Sequence, residues 1–317
     1  MTWFWVYLRG MMMGAADIVP GVSGGTIAFV TGIYERLLEA ISHFLPALLA
    51  FIRHRSTKRF LAEADIVFVS TLLFGILSSV FLFASLISFA LEAHPIQIWS
   101  FFSGLIIASA ILIGFEIKAW PASRFIMLGV GVVVAVLLGS SSLFSLPHTF
   151  TGAFLSGAIA ICAMILPGIS GSFLLLLIGT YSYIIGSIKN VDLAVLSVFA
   201  LGCCLSLLFV ARLISWMLER YKGMTLCFLL GLMLGSIDKV WPWKYTISYR
   251  LNSKGESVPL DQMSVLPSGY AELTGAAPEL LSAALWFGIG FIVITGVTYI
   301  ARLVDASSGT SVTNGNA

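Results

Sequence analysis

Charge is the scarcest property of this chain. Only 10% of its 317 residues are Asp, Glu, Lys or Arg, against about a quarter in a soluble domain. So little charge cannot clothe a water-exposed globule. The formal net charge of +2 excludes nucleic acid as a partner, which would demand a basic surface. Histidine is equally thin: His43, His54, His94 and His148 all fall in expected loops or interfaces. No HExxH, no paired His–carboxylate and no Ser/His/Asp set stands in an apolar run, so neither hydrolysis nor a metal centre is expected. The cysteines, Cys162, Cys203, Cys204 and Cys227, form no CxxC pair and lie inside apolar runs. They read as small core residues. The opening "MTWFWVYLRGMMMG" has no basic stretch before its apolar residues and Arg9 interrupts it, so it is not expected to be a cleaved signal.

What the chain has in abundance is hydrophobic sequence, 59% of the total. A bilayer core takes about 20 apolar residues per helix. Residues 66–91, 97–117, 124–142, 193–218, 223–241 and 280–302 meet that requirement. An all-α polytopic membrane protein is the expected fold class. Two further apolar stretches do not fit: 3–41 is broken at "PGVSGG" and 149–188 at "PGISGS". Each is either a re-entrant hairpin of shortened helices or two tilted spans, and the sequence leaves both open.

The two breaks echo each other. With Pro20 aligned on Pro167, "PGVSGGTIAFVTGIYERLLEAI" pairs with "PGISGSFLLLLIGTYSYIIGSI". Farther on, "FGILSSVFLFASLISFALE" (74–92) pairs with "LGCCLSLLFVARLISWMLE" (201–219), and "FFSGLIIAS" (101–109) with "FLLGLMLGS" (228–236). The chain is read as a duplication, with a first repeat over 1–145, a second over 146–305 and a disordered polar tail over 306–317. A hairpin plus three crossings separates equivalent points, which would make the repeats inverted, a transporter architecture. If each break is instead a single crossing, the repeats are parallel.

Loop charges give an orientation. With the amino terminus inside, the inner loops hold ten Lys and Arg and the outer loops five, as the positive-inside rule asks. Both termini are then cytoplasmic. The inner cluster Arg53, Arg55, Lys58 and Arg59 sets topology or meets anionic membrane lipids. The outer loop 243–279 alternates polar and apolar residues around Asn252–Gly255, the pattern of a small β-hairpin.

Chemistry is expected at the breaks. Pro20, Gly21, Ser23, Gly24, Gly25 and Thr26 open a new half-helix, and Pro167, Gly168, Ser170, Gly171 and Ser172 open another. A half-helix amino terminus at membrane depth offers N–H groups and a positive dipole end to an anion such as phosphate. The competing reading is a proline kink tolerated by packing. Asp17 can cap the break, balance an arginine or carry a proton. Glu35 can be a counter-ion or proton carrier, or snorkel to the interface. Arg36 and Arg212 can grip a phosphate with their guanidinium forks, or snorkel likewise. Tyr181 matches Tyr34. No cofactor is called for, and proton or sodium coupling is left open, as is the oligomeric state.

"GAADIVPGVSGGTIAFVTGIYERLLEAI" and "LPGISGSFLLLLIGTYSYII" resemble the two signature motifs of the polyprenyl-phosphate transporter family, the PopT-like proteins once catalogued as a domain of unknown function. The likeness runs over roughly residues 5 to 302. It implies a translocase, not an enzyme, that returns undecaprenyl phosphate from the outer to the cytoplasmic leaflet of the bacterial inner membrane for reuse in cell-wall synthesis. The alternatives are an ion-coupled small-anion transporter and an intramembrane phosphatase. Where the first copy has Glu35 and Arg36 the second has Ser182 and Tyr183, so the expected site is asymmetric in charge.

Overall fold

A computed structural model describes residues 3–19, 22–54, 56–139, 146–251 and 257–307. Pro20, Gly21 and Arg55 lie outside the described residues, as do residues 252–256, which include the turn expected at Asn252–Gly255, and residues from 308 onward.

Helix α1 (Trp3–Ile18) runs into the first break, and α2 (Gly24–Val30) restarts after it. Ser23 is the N-cap of α2, in extended backbone at φ −123°. The sequence suggests one apolar run of roughly 16 to 18 residues beyond the break, yet α2 stops after seven residues. The reason is Gly32, whose φ of +75° is a left-handed conformation that ends helices and suits glycine. The Ile33 N–H reaches back to the Ala28 carbonyl at 3.0 Å, a Schellman-type closure, and α3 (Tyr34–His54) departs in a new direction. The second copy does the same. Helices α8 (Phe150–Ile165) and α9 (Gly171–Leu177) flank its break. Gly179 at φ +74° then turns the chain into α10 (Tyr181–Lys189), bent 112° from α9.

Between the breaks lie α4 (Thr57–Glu63), α5 (Ile66–Ala93), α6 (Pro95–Glu116) and α7 (Ala122–Gly139). After the second come α11 (Leu193–Gly235), a 3₁₀ turn (Ile237–Val240), strands β1 (Lys244–Leu251) and β2 (Ser257–Ser264), α12 (Pro267–Thr274) and α13 (Leu280–Ser307). The strands pair antiparallel, from Lys244 opposite Ser264 to Leu251 opposite Ser257. The spans expected at 193–218 and 223–241 are both present, as two helices within Leu193–Gly235 that meet at a kink at Tyr221. The backbone there (φ −134°, ψ 42°) matches that of His94 between α5 and α6 (φ −137°, ψ 55°). His94 is the residue aligned with Tyr221. Pro95 follows His94 and brings no backbone donor, so α5 and α6 separate.

Four helix crossings are built on glycine: α1 meets α5 at Gly10 and Gly75, and α8 meets α11 at Gly157 and Gly202. Likewise α6 meets α13 at Gly104 and Gly290, and α7 meets α11 at Gly131 and Gly231. At each, a Cβ would overlap the facing backbone. Lipid tails give helices no hydrophobic reason to associate, so close backbone packing of this kind supplies the attraction. The largest buried side chains, including Ile27, Ile33, Tyr34, Phe68, Ile106, Leu229 and Met233, gather α2 and α3 against α5, α6 and α11. The outer surface is apolar too, with Phe81 89% and Phe115 82% exposed, as a lipid-facing surface requires. Among the described residues, α5, α6, α11 and α13 are long and apolar enough to cross a membrane, and the bent α9–α10 pair makes a fifth if counted as one span. Helices α7 and α8 are apolar and shorter. The protein is a multi-pass, mostly helical membrane protein.

Candidate functional site

The two breaks, far apart in sequence, meet in space. The Gly168 N–H, released by a left-handed φ of +86°, donates to Thr26 Oγ1 at 2.9 Å across the junction. Ser23 Oγ donates to the Met164 carbonyl at 3.4 Å. A Cβ on Gly25 would stand 2.8 Å from the carbonyl oxygens of Met164 and Ile165, so glycine there is a condition of the approach. Ser23, Thr26, Pro167, Gly168 and Ser170 are all buried.

The two half-helix ends differ. At α2 every early N–H is taken. Gly24 N–H donates to Asp17 Oδ1 at 2.7 Å, Gly25 N–H to Ser23 Oγ at 3.1 Å and Thr26 N–H to the Ser23 carbonyl at 3.0 Å. Asp17 makes the contact expected of a cap, its carboxylate on the positive end of a helix dipole. A Cβ on Gly24 would stand 2.6 Å from Asp17 Oδ2, so the glycine admits the carboxylate. In the second copy Met164 stands where Asp17 does, and Gly171 faces its Cγ instead. The α9 end has no side-chain cap. Its hydroxyls, Ser170 Oγ and Ser172 Oγ, lie 3.0 Å apart, with Ser172 exposed.

The other expected site residues are not at this junction. Arg36 is engaged in a two-pronged pair with Asp65, Nε to Oδ2 at 2.6 Å and Nη2 to Oδ1 at 3.1 Å, and its guanidinium lies 4.2 Å from the centre of the Phe68 ring. Glu35 pairs with Lys222 at 2.8 Å. Arg212 is exposed and donates to the Ser42 carbonyl at 3.3 Å. Tyr181 opens α10 and packs on the cluster of Ala160, Leu175 and Ile178. A small cleft of about 220 Å³ lies between α3 and α11, lined by Glu35, Glu39, Ser215, Leu218, Glu219 and Lys222.

A lysine paired with Asp238 at 3.6 Å packs on an aromatic ring of α9. Lys239 Nζ lies 5.4 Å from the ring centre of Phe173, the third residue of that helix. In sequence Lys239 is one of the five outer-loop cations. Its one sequence signal is that the aligned residue of the first copy is Leu112. Lys244, at the start of β1, donates to the Lys239 carbonyl at 2.6 Å and stacks its ammonium 4.2 Å from the Trp99 ring. Burial pushes the Lys244 ammonium down to about 8, a shift that Asp238 opposes and Lys239 adds to. Among the described residues no group of His, Cys, Asp or Glu is arranged to hold a metal ion.

Comparison with known proteins bears on the same residues. The model of the VCA0040-like family, described as undecaprenyl phosphate translocase-like, matches residues 13–258. A polyprenyl-phosphate transporter of Vibrio cholerae is 44% identical over 302 residues, covering 95% of this chain and 98% of the relative. A polyprenyl-phosphate transporter of Staphylococcus aureus is 28% identical over 256 residues, covering 74% of this chain and 85% of the relative. No solved structure matches the chain.

Proposed function

Because the chain belongs to the VCA0040-like, undecaprenyl phosphate translocase-like family, a family of transporters rather than enzymes, we propose that it carries a polyprenyl phosphate across the membrane. The cargo moves from the outer to the cytoplasmic leaflet of the bacterial inner membrane, so that the carrier lipid is used again. The repeats are inverted, the termini are cytoplasmic and the β1–β2 pair is extracytoplasmic.

One observation supports the reading most directly: two half-helix ends meet inside an apolar protein, one closed and one open. Asp17 occupies the α2 end as a resident anion, where a phosphate would otherwise bind. The α9 end is the open seat. Its backbone N–H groups, the Ser170 and Ser172 hydroxyls and the Lys239 ammonium beside Phe173 can share one phosphate, while the polyprenyl tail stays in lipid. Charge on the head makes the crossing costly in bare bilayer by several kcal/mol, and a polar seat at depth lowers that cost. Arg36, Glu35 and Arg212 hold helices together at some distance from the cargo.

Reconstituted vesicles give the test. The protein should move a short-chain polyprenyl phosphate between leaflets, and Ser170→Ala with Ser172→Ala, or Lys239→Met, should slow it at least about tenfold, the loss of one charge-assisted hydrogen bond. Folded wild-type protein that moves no more lipid than protein-free vesicles would falsify the proposal. Uptake of inorganic phosphate with no lipid movement would favour a small-anion carrier.

A further inference from the structure

Arg9 is 2% exposed, in the middle of the apolar helix α1. A buried guanidinium in a membrane helix costs several kcal/mol and marks a function by default. Packing of the repeat does not demand it. The aligned residue of the second copy is Ser156, whose hydroxyl lies 2.6 Å from the Gly152 carbonyl and 2.9 Å from Thr180 Oγ1. Arg9 lines a groove of about 280 Å³ between α1, α5 and α13, whose walls include Trp5, Leu8, Met12, Phe83 and Val297.

We propose that this groove is a second seat for the cargo, on the side where the amino terminus lies. It holds the first units of a polyprenyl chain, with Arg9 as the counter-charge of the phosphate. This rests on the transport reading above. The chemistry of the walls selects the ligand. Apart from Arg9 and the Trp5 indole, the lining side chains offer no hydrogen bond, so the hydroxyls or esters of a glycerophospholipid head would be stripped of water and left unmet. A bare phosphate on a branched hydrocarbon asks only for a cation and an apolar wall, and methionines adapt to branching. Arg9 is engaged within the protein as it stands, so the phosphate takes it over by exchange of partners.

The test uses the full chain in phosphatidylcholine nanodiscs with farnesyl phosphate carrying a photoreactive group. Adducts should map to α1 and to Phe83. Arg9→Gln should weaken binding at this seat at least about tenfold, Arg9→Lys should restore part of it, and farnesol should bind weakly to all three. Val297→Trp, which fills the groove and leaves Arg9 in place, should abolish the α1 adducts; it decides the matter if Arg9→Gln does not fold. Adducts that persist in Arg9→Gln or in Val297→Trp overturn the proposal. So does full competition by phosphatidylglycerol, which would make the groove a bulk-lipid site, or by inorganic phosphate, which would make the tail irrelevant. The two readings fail separately. Arg9-dependent labelling without lipid movement in vesicles removes the transport reading alone; lipid movement without it removes only this seat.

Discussion

Thr26→Val tests the junction of the two breaks most directly. The valine keeps the shape of the side chain and replaces the hydroxyl by a methyl. The Gly168 N–H, now bonded to Thr26 Oγ1 at 2.9 Å, is left buried without an acceptor. An unmet buried donor costs about 1–3 kcal/mol in soluble proteins, while hydrogen bonds between membrane helices average about 0.6 and reach about 1.7. Thr26 is 0% exposed and Gly168 is buried against α11, so water cannot enter as a substitute and the upper part of the membrane range applies. A loss of about 1–2 kcal/mol corresponds to a factor of about 5–30 in the opening equilibrium. Hydrogen exchange followed by mass spectrometry should therefore show the peptide spanning 166–170 exchanging faster by that factor in Thr26→Val. Thr26→Ser, which retains the hydroxyl, should leave that peptide near wild type. Unchanged exchange over 166–170 in Thr26→Val would mean the breaks are not held together by this bond, and the paired site would lose its physical basis.

Three other outcomes follow from the same geometry. Asp17→Ala removes the carboxylate that meets the Gly24 N–H at 2.7 Å and should lower stability by about 1.5–3 kcal/mol. Asp17→Asn keeps an oxygen and should lose less, and equal melting temperatures in detergent would show that Asp17 is no cap. Arg36→Gln breaks a half-exposed pair with Asp65 that is worth about 1 kcal/mol or less. Its transport rate should stay within about twofold of wild type by the same small figure, and loss of transport would return Arg36 to the cargo. Lys244 has a folded pKa near 8 against 10.5 for the free side chain, so between those values the unfolded chain holds a proton that the folded chain does not. Wild-type stability should therefore rise with pH across that window, relative to Lys244→Met. Parallel pH profiles of the two melting curves would contradict a buried amine.

Much of this arrangement was legible in sequence because its causes are local. Proline, glycine and serine at two matching places predicted the breaks, and alternation in 243–279 predicted strands. The aligned residues His94 and Tyr221 have similar backbone angles. What the sequence hid was partnership across distance. In sequence Arg36 is a phosphate ligand or a snorkelling residue, and nothing near it announces Asp65, which pairs with it in the fold. Glu35 is a counter-ion, a proton carrier or a snorkelling residue, and nothing near it announces Lys222, which reaches it from α11. Asp17 has three roles open in sequence, and the fold of the chain brings its carboxylate onto the Gly24 N–H. The loop tally counts Arg9 as an inner-loop charge, whereas it lies inside α1 and is buried by the helices packed around it, which its neighbours in sequence do not reveal.

The glycine crossings carry a consequence for how the protein is made. Helix α6 finds its glycine partner on α13 and α7 finds its own on α11, both beyond the second break in the chain. Helices early in the chain are thus closed by helices late in it. During synthesis the Gly104 face of α6 has no helix to meet until residues beyond Leu280 have been inserted. That crossing closes only once the last helix is in place.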